Sequence, residues 1–148
     1  MTPRVVGSLS EAEKLIGVEL GESEAVLIDE ARLEKFAEST GGRQTRSAHR
    51  DKGTGAPPAQ AYLPITLVPM LASQIFSLGF GTARINYGTD KVRFGPPVTA
   101  GSALCARAKL LEVSGHSQGT YIKTEITIRA EGSAQPACVA ETITLVTG

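Results

Sequence analysis

The C-terminal half of the chain is a succession of strand-like runs. Four of them, at 83–94, 102–113, 120–130 and 137–147, are separated by turn chemistry: Gly95-Pro96-Pro97, Ser114-Gly115-His116-Ser117-Gln118-Gly119 and Gly132-Ser133-Ala134-Gln135-Pro136. In the third run Ile122, Thr124, Ile126, Ile128 and Ala130 alternate with Tyr121, Lys123, Glu125, Thr127 and Arg129. A period of two puts successive side chains on opposite faces, so this pattern predicts one buried and one wet face. In the fourth run Val139, Ile143 and Leu145 share a face that Glu141 interrupts. Long strands in direct succession favour an antiparallel meander.

The N-terminal half reads differently. Ser8, with Glu11 three residues on, is a capping-box start for a short helix. Ala25-Val26-Leu27-Ile28 predicts a short buried strand. Asp29 then caps a helix over 30–39 whose apolar face is Ala31, Leu33, Phe36 and Ala37, and Gly41 and Gly42 end it. From Leu63 to Leu78 apolar residues occupy nearly all sides, which predicts a helix buried all round. Pro64 suits its first turn and Gly79 its end, while Pro69 should remove one hydrogen bond and kink the axis. One such helix and a long antiparallel sheet bury each other only if the sheet curls around the helix. The expectation is therefore α+β: a single domain over 1–148, with a long antiparallel sheet wrapped around a buried central helix. A sheet edge left open in such a domain favours a dimer.

Residues 41–60 are the least regular part. They hold Gly41, Gly42, Gly53, Gly55, Pro57 and Pro58, with cations at Arg43, Arg46, Arg50 and Lys52. A long irregular stretch inside a compact domain points to function.

Composition narrows the classes. The chain has 148 residues, 41% hydrophobic and 20% charged, enough for one domain with a real core. Lys+Arg and Asp+Glu number 15 each, so the zero formal charge gives no pull toward nucleic acid or an anionic membrane. The strand region carries a local basic excess at Arg84, Lys91, Arg93, Arg107, Lys109, Lys123 and Arg129, which solvated strand faces explain better than an anionic carrier or CoA phosphates do. No secretory-type apolar core stands in Met1–Ser8, and no run approaches the ~20 apolar residues of a membrane span. Cys105 and Cys138 have no metal-ligand spacing; they are expected to be buried small hydrophobes in a reducing cytoplasm, with no metal or cofactor bound.

Three segments carry a resemblance. The first is Phe36-Ala37-Glu38-Ser39-Thr40-Gly41; the second is Tyr62-Leu63 followed by Thr66-Leu67-Val68-Pro69. The third is Asn86-Tyr87-Gly88 with Lys91-Val92-Arg93-Phe94, then Pro97-Val98 and Gly101. In this order and spacing, from about residue 15 to the C-terminus, the chain resembles the MaoC-like (R)-specific enoyl-thioester hydratases and dehydratases of the hot-dog fold. The resemblance implies a homodimer and an acyl-thioester substrate carried on CoA or an acyl carrier protein, its chain lying beside the central helix. In active members an Asp and a His activate water, and a backbone N–H at the start of the helix polarises the thioester carbonyl. The matching positions here read Gly42 and Ser47, and the family's Ala-His-Gly becomes Ala59-Gln60-Ala61.

The expected site follows from those replacements. His49 and Asp51 are the nearest substitutes for the lost pair, and Gln60 exchanges hydrogen bonds without titrating. Arg43 and Arg46 are suited to clamp a carboxylate or phosphate, or form a solvated cationic surface. Gln44, Ser47, Tyr62 and Asn86 complete the binding set with neutral groups, whereas His116 reads as a turn residue. Three functions remain open. One is a repurposed enzyme that cyclises, rearranges or dehydrates a polyketide-type substrate by preorganisation. The second is a non-catalytic subunit beside a dyad-bearing hot-dog partner. The third is residual hydration through His49 and Asp51.

Overall fold

A computed structural model describes residues 2–41 and 61–148. The chain opens with β1 (Arg4–Val6), α1 (Leu9–Lys14), β2 (Glu19–Glu22), β3 (Val26–Ile28) and α2 (Glu30–Thr40). Next come α3 (Leu63–Thr66), α4 (Val68–Ile75) and β4 (Phe76–Leu78). The long strands β5 (Ala83–Phe94), β6 (Ser102–His116), β7 (Gly119–Ala130) and β8 (Cys138–Thr147) follow.

The helix starts obey local chemistry. Ser8 Oγ accepts from the Glu11 N–H at 3.0 Å, and the Glu11 carboxylate accepts from the Gly7 N–H at 2.8 Å, one residue earlier than a strict capping box requires. Asp29 Oδ1 accepts from the Arg32 N–H at 2.8 Å. Gly41 ends α2 at φ 70°, a left-handed conformation that glycine adopts without a Cβ clash.

The predicted single helix over 63–78 is broken twice. Leu67 closes α3 and opens α4, so Pro69 lies in the first turn of a new helix, where its missing N–H has no intrahelical partner to lose. The second break comes at Phe76, which is extended (φ −153°, ψ 164°). Residues 76–78 pair in parallel with β1, Arg4 opposite Phe76 and Val6 opposite Leu78. Gly79 is thus not a helix cap: its N–H donates to Val6 O at 2.8 Å, and a Cβ there would stand 2.8 Å from Val5 Cγ1. Nor is the helix buried all round. Val68, Leu71 and Ile75 face the core, while Pro69, Met70 and Ser73 are exposed.

The main sheet is antiparallel, in the order β2-β6-β7-β8-β5, with β3 beside β2 on the same edge of β6. α4 packs on β6 and β2, and α3 on β8. The inner face of β7 is the alternating set read from sequence: Ile122, Thr124, Ile126 and Ile128 are all buried. In β8 the core face is Cys138, Ala140, Thr142, Thr144 and Val146, because these stand opposite the inner residues of β7. Val139, Glu141, Ile143 and Leu145 do share a face, but it is the outer one. The expected six-residue separator after 113 shrinks to Ser117-Gln118, since the ladder continues to His116 opposite Gly119.

The far edge is β5, exposed along nearly its whole length, with Ile85, Tyr87 and Phe94 all open to solvent. Among the described residues no helix is long and apolar enough to cross a membrane.

Candidate functional site

α4 does not cover the whole inner face. Between it and the β5 side of the sheet lies a groove of about 810 Å³. One wall comes from α3, α4 and β4 and is mostly apolar: Ile65, Val68, Pro69, Ala72, Phe76 and Leu78, with Ser73 and Ser77 among them. The other is sheet: Asn86 and Thr89 of β5, Thr124 and Ile126 of β7, Thr142 and Thr144 of β8. The junction between α3 and α4 therefore lies at the groove. Arg84 stands at one end, but its guanidinium is committed: Nε donates to Leu78 O at 2.6 Å and Nη2 to Phe80 O at 2.9 Å. These bonds clip the end of β4 to β5. No carboxylate or imidazole is present among the described lining residues.

Of the described residues singled out from sequence as site residues, Asn86 lines this groove and Tyr62 does not. Tyr62 is exposed and packs edge-on to Phe94, ring centroids 5.1 Å apart. His49, Asp51, Gln60, Arg43, Gln44, Arg46 and Ser47, together with Gly42, lie outside the described residues. Sequence reasoning passed over the threonines. The available signal was Thr124, a hydroxyl on an otherwise aliphatic inner face.

The outer face is occupied by local pairings. Arg107 Nε bonds Glu22 at 2.7 Å and approaches Glu19 at 3.3 Å; Lys123 Nζ meets Asp90 at 2.6 Å and Glu112 at 3.5 Å. The hydrogen bond to Glu22 raises the Arg107 pKa, and that to Asp90 raises the Lys123 pKa. Arg129 Nη1 donates to Ala134 O. Two of the strand cations, Arg107 and Lys123, are thus ion-paired with neighbours, and such exposed pairs add little stability. His116 Nδ1 accepts from the Gln118 N–H at 3.0 Å, and its ring stacks edge-on to Tyr121 at 4.5 Å, in keeping with a turn role.

The cysteines divide. Cys138 is buried, while Cys105 is only half-buried on the outer face, with Sγ 3.8 Å from Arg129 O. Burial raises both thiol pKa values, and at Cys105 the Glu22 charge adds to it. No group of three or more His, Cys, Asp or Glu side chains among the described residues is arranged to hold a metal.

A helix laid on the inner face of a long antiparallel sheet, with a mostly apolar groove beside it, is the hot-dog arrangement. The chain is 33% identical over 145 residues to 3-hydroxyacyl-thioester dehydratase Z of Mycobacterium tuberculosis, covering 95% of this chain and 96% of that protein. Its fold matches the MaoC-like dehydratase from Rhodospirillum rubrum with a TM-score of 0.68 at 14% identity, over 92% of this chain and 96% of the other. It also matches the ChsH1-ChsH2 complex from Mycobacterium tuberculosis with a TM-score of 0.63 at 16% identity, over 88% and 97%. No family model matches the chain. The protein belongs to the MaoC-like hot-dog dehydratase family.

Proposed function

We propose that this chain is a repurposed MaoC-type protein of polyketide-type secondary metabolism. It holds an apolar or acyl-derived substrate in the α4 groove and promotes cyclisation, rearrangement or dehydration by preorganisation. The observation that carries this reading is the groove lining itself: a mostly apolar wall facing hydroxyls and an amide, with no carboxylate or imidazole among the described lining residues. Gly42 and Ser47, standing where the family motif has its acid and base, support it from sequence. Holding reacting groups together in a dry, shaped site lowers a barrier through orientation and fixed dipoles. The name of the dehydratase Z relative supports an acyl-thioester origin for the ligand. Asn86 is the sequence-predicted binding residue seen at the groove, and Arg43, Gln44, Arg46, Ser47 and Tyr62 are kept as further candidates for binding, with Gln60 as a candidate for the chemistry. Purified protein incubated with a panel of late polyketide intermediates tests the proposal. Faster product formation than in buffer is expected; identical rates across the panel contradict it.

The active form is proposed to be a homodimer. The exposed strand β5 leaves unpaired backbone groups and three large apolar side chains in solvent, which a second copy would cover. A second reading, a non-catalytic subunit of a two-chain dehydratase, is favoured by the match to the ChsH1-ChsH2 complex. A symmetric homodimer unchanged by a dyad-bearing partner would argue against it. Residual hydration through His49 and Asp51 is the third, and an unchanged crotonyl-thioester hydration rate in His49→Ala would remove it.

A further inference from the structure

Thr89 on β5 is in register with Thr142 on β8, and Thr142 with Thr124 on β7. Residues opposite one another on adjacent strands share a face, so these three hydroxyls form one cross-strand ladder. It runs from the open edge strand inward and stops against Leu110 of β6. All three residues line the groove, and Asn86 with Thr144 forms the next row.

Thr124 is 3% exposed and, with Ser23, one of two buried polar residues among those described. Ser23 is satisfied: its Oγ donates to Glu24 O and accepts from the Ala106 N–H. Thr124 is not. Its carbonyl accepts from Thr142 Oγ1 at 3.4 Å, but its own hydroxyl has no partner among the described residues. Burying a hydroxyl without a partner is unfavourable, and a valine would fill the same wall without that cost. A partner supplied by the ligand accounts for it.

We propose that the Thr124–Thr142–Thr89 ladder reads an oxygen substituent farther along the substrate chain than the 3-hydroxyl in the name of the dehydratase Z relative. The groove then selects acyl chains with a hydroxyl or keto group beyond the third carbon over chains saturated there. This rests on the acyl-binding reading of the groove. A threonine hydroxyl both donates and accepts, so it suits either substituent. The opposite wall, with Val68, Ala72 and Phe76, takes the chain's carbons; Ser73 and Ser77 also line that side, and the Ser73 hydroxyl is committed to Met70 O.

Calorimetric titration of the full chain tests this with octanoyl N-acetylcysteamine thioester and its derivatives bearing one hydroxyl at each chain carbon from the fourth outward. One derivative is expected to bind about tenfold tighter than the unsubstituted chain, the scale of one buried neutral hydrogen bond. Thr124→Val should erase that preference, read as the ratio of hydroxylated to octanoyl affinity within the same variant, and Thr124→Ser should restore it. Thermal melting checks that the variants fold, and Thr142→Val carries the same test should Thr124→Val not fold. Equal binding of octanoyl and all its derivatives, as an ordered water on Thr124 would give, overturns the ladder and leaves the acyl groove standing. A preference that persists without the threonine hydroxyls does the same. If no thioester binds, octanoyl included, the acyl-binding reading falls and the ladder with it.

Discussion

Cys138 stands on the inner face opposite Ile128 and Phe94 in register, and burial alone raises its thiol pKa. The thiolate is the reactive form, so a raised pKa leaves less of it at any given pH. Iodoacetamide at mildly alkaline pH is therefore expected to modify half-buried Cys105 first, with Cys138 protected until the chain unfolds. Intact-mass spectrometry reads the order, and equal rates in folded and denatured protein would contradict the burial. The sign for stability follows: both thiols are more readily ionised in the unfolded chain, so stability is intact below the ordinary thiol pKa and is lost as pH rises through the raised folded value. At this scale sequence was informative where chemistry is local. Asp29, Ser8 and Gly41 act within three or four residues of themselves, and each does what its position suggests. Thr124 was legible only as an oddity on an aliphatic face, because what makes it matter is its register with Thr142 and Thr89 across two other strands.

Among elements, the long strands announced themselves by alternation, and β5 matches its predicted span of 83–94. The central helix did not, because an apolar run of sixteen residues looks the same whether its last three are helix or strand. Phe76-Ser77-Leu78 becomes strand only because β1, some seventy residues away in sequence, offers it a parallel partner. The position of Pro69 makes this testable. In a helix interior, replacing proline with alanine would gain about 3 kcal/mol; in the first turn of α4, Pro69→Ala is expected to change stability by less than about 1 kcal/mol. Urea unfolding at equilibrium distinguishes the two. The open edge gives a second expectation. Ile85 is exposed on β5, and a lysine at a strand edge blocks pairing with another chain. Ile85→Lys should convert a dimer to a folded monomer by analytical ultracentrifugation, and an unchanged mass would place the contact elsewhere.

For the whole molecule, the hot-dog arrangement was legible because motif order, strand spacing and the one apolar helix agree. What the groove does was not, since its lining is drawn from α3, α4, β4, β5, β7 and β8 together. The account holds that the family's groove persists while its hydration chemistry is gone. The most direct test is the hydration of a crotonyl thioester by the purified chain, followed against the uncatalysed rate. The account predicts no acceleration. Acceleration that disappears in His49→Ala would contradict it and return the protein to the hydratases.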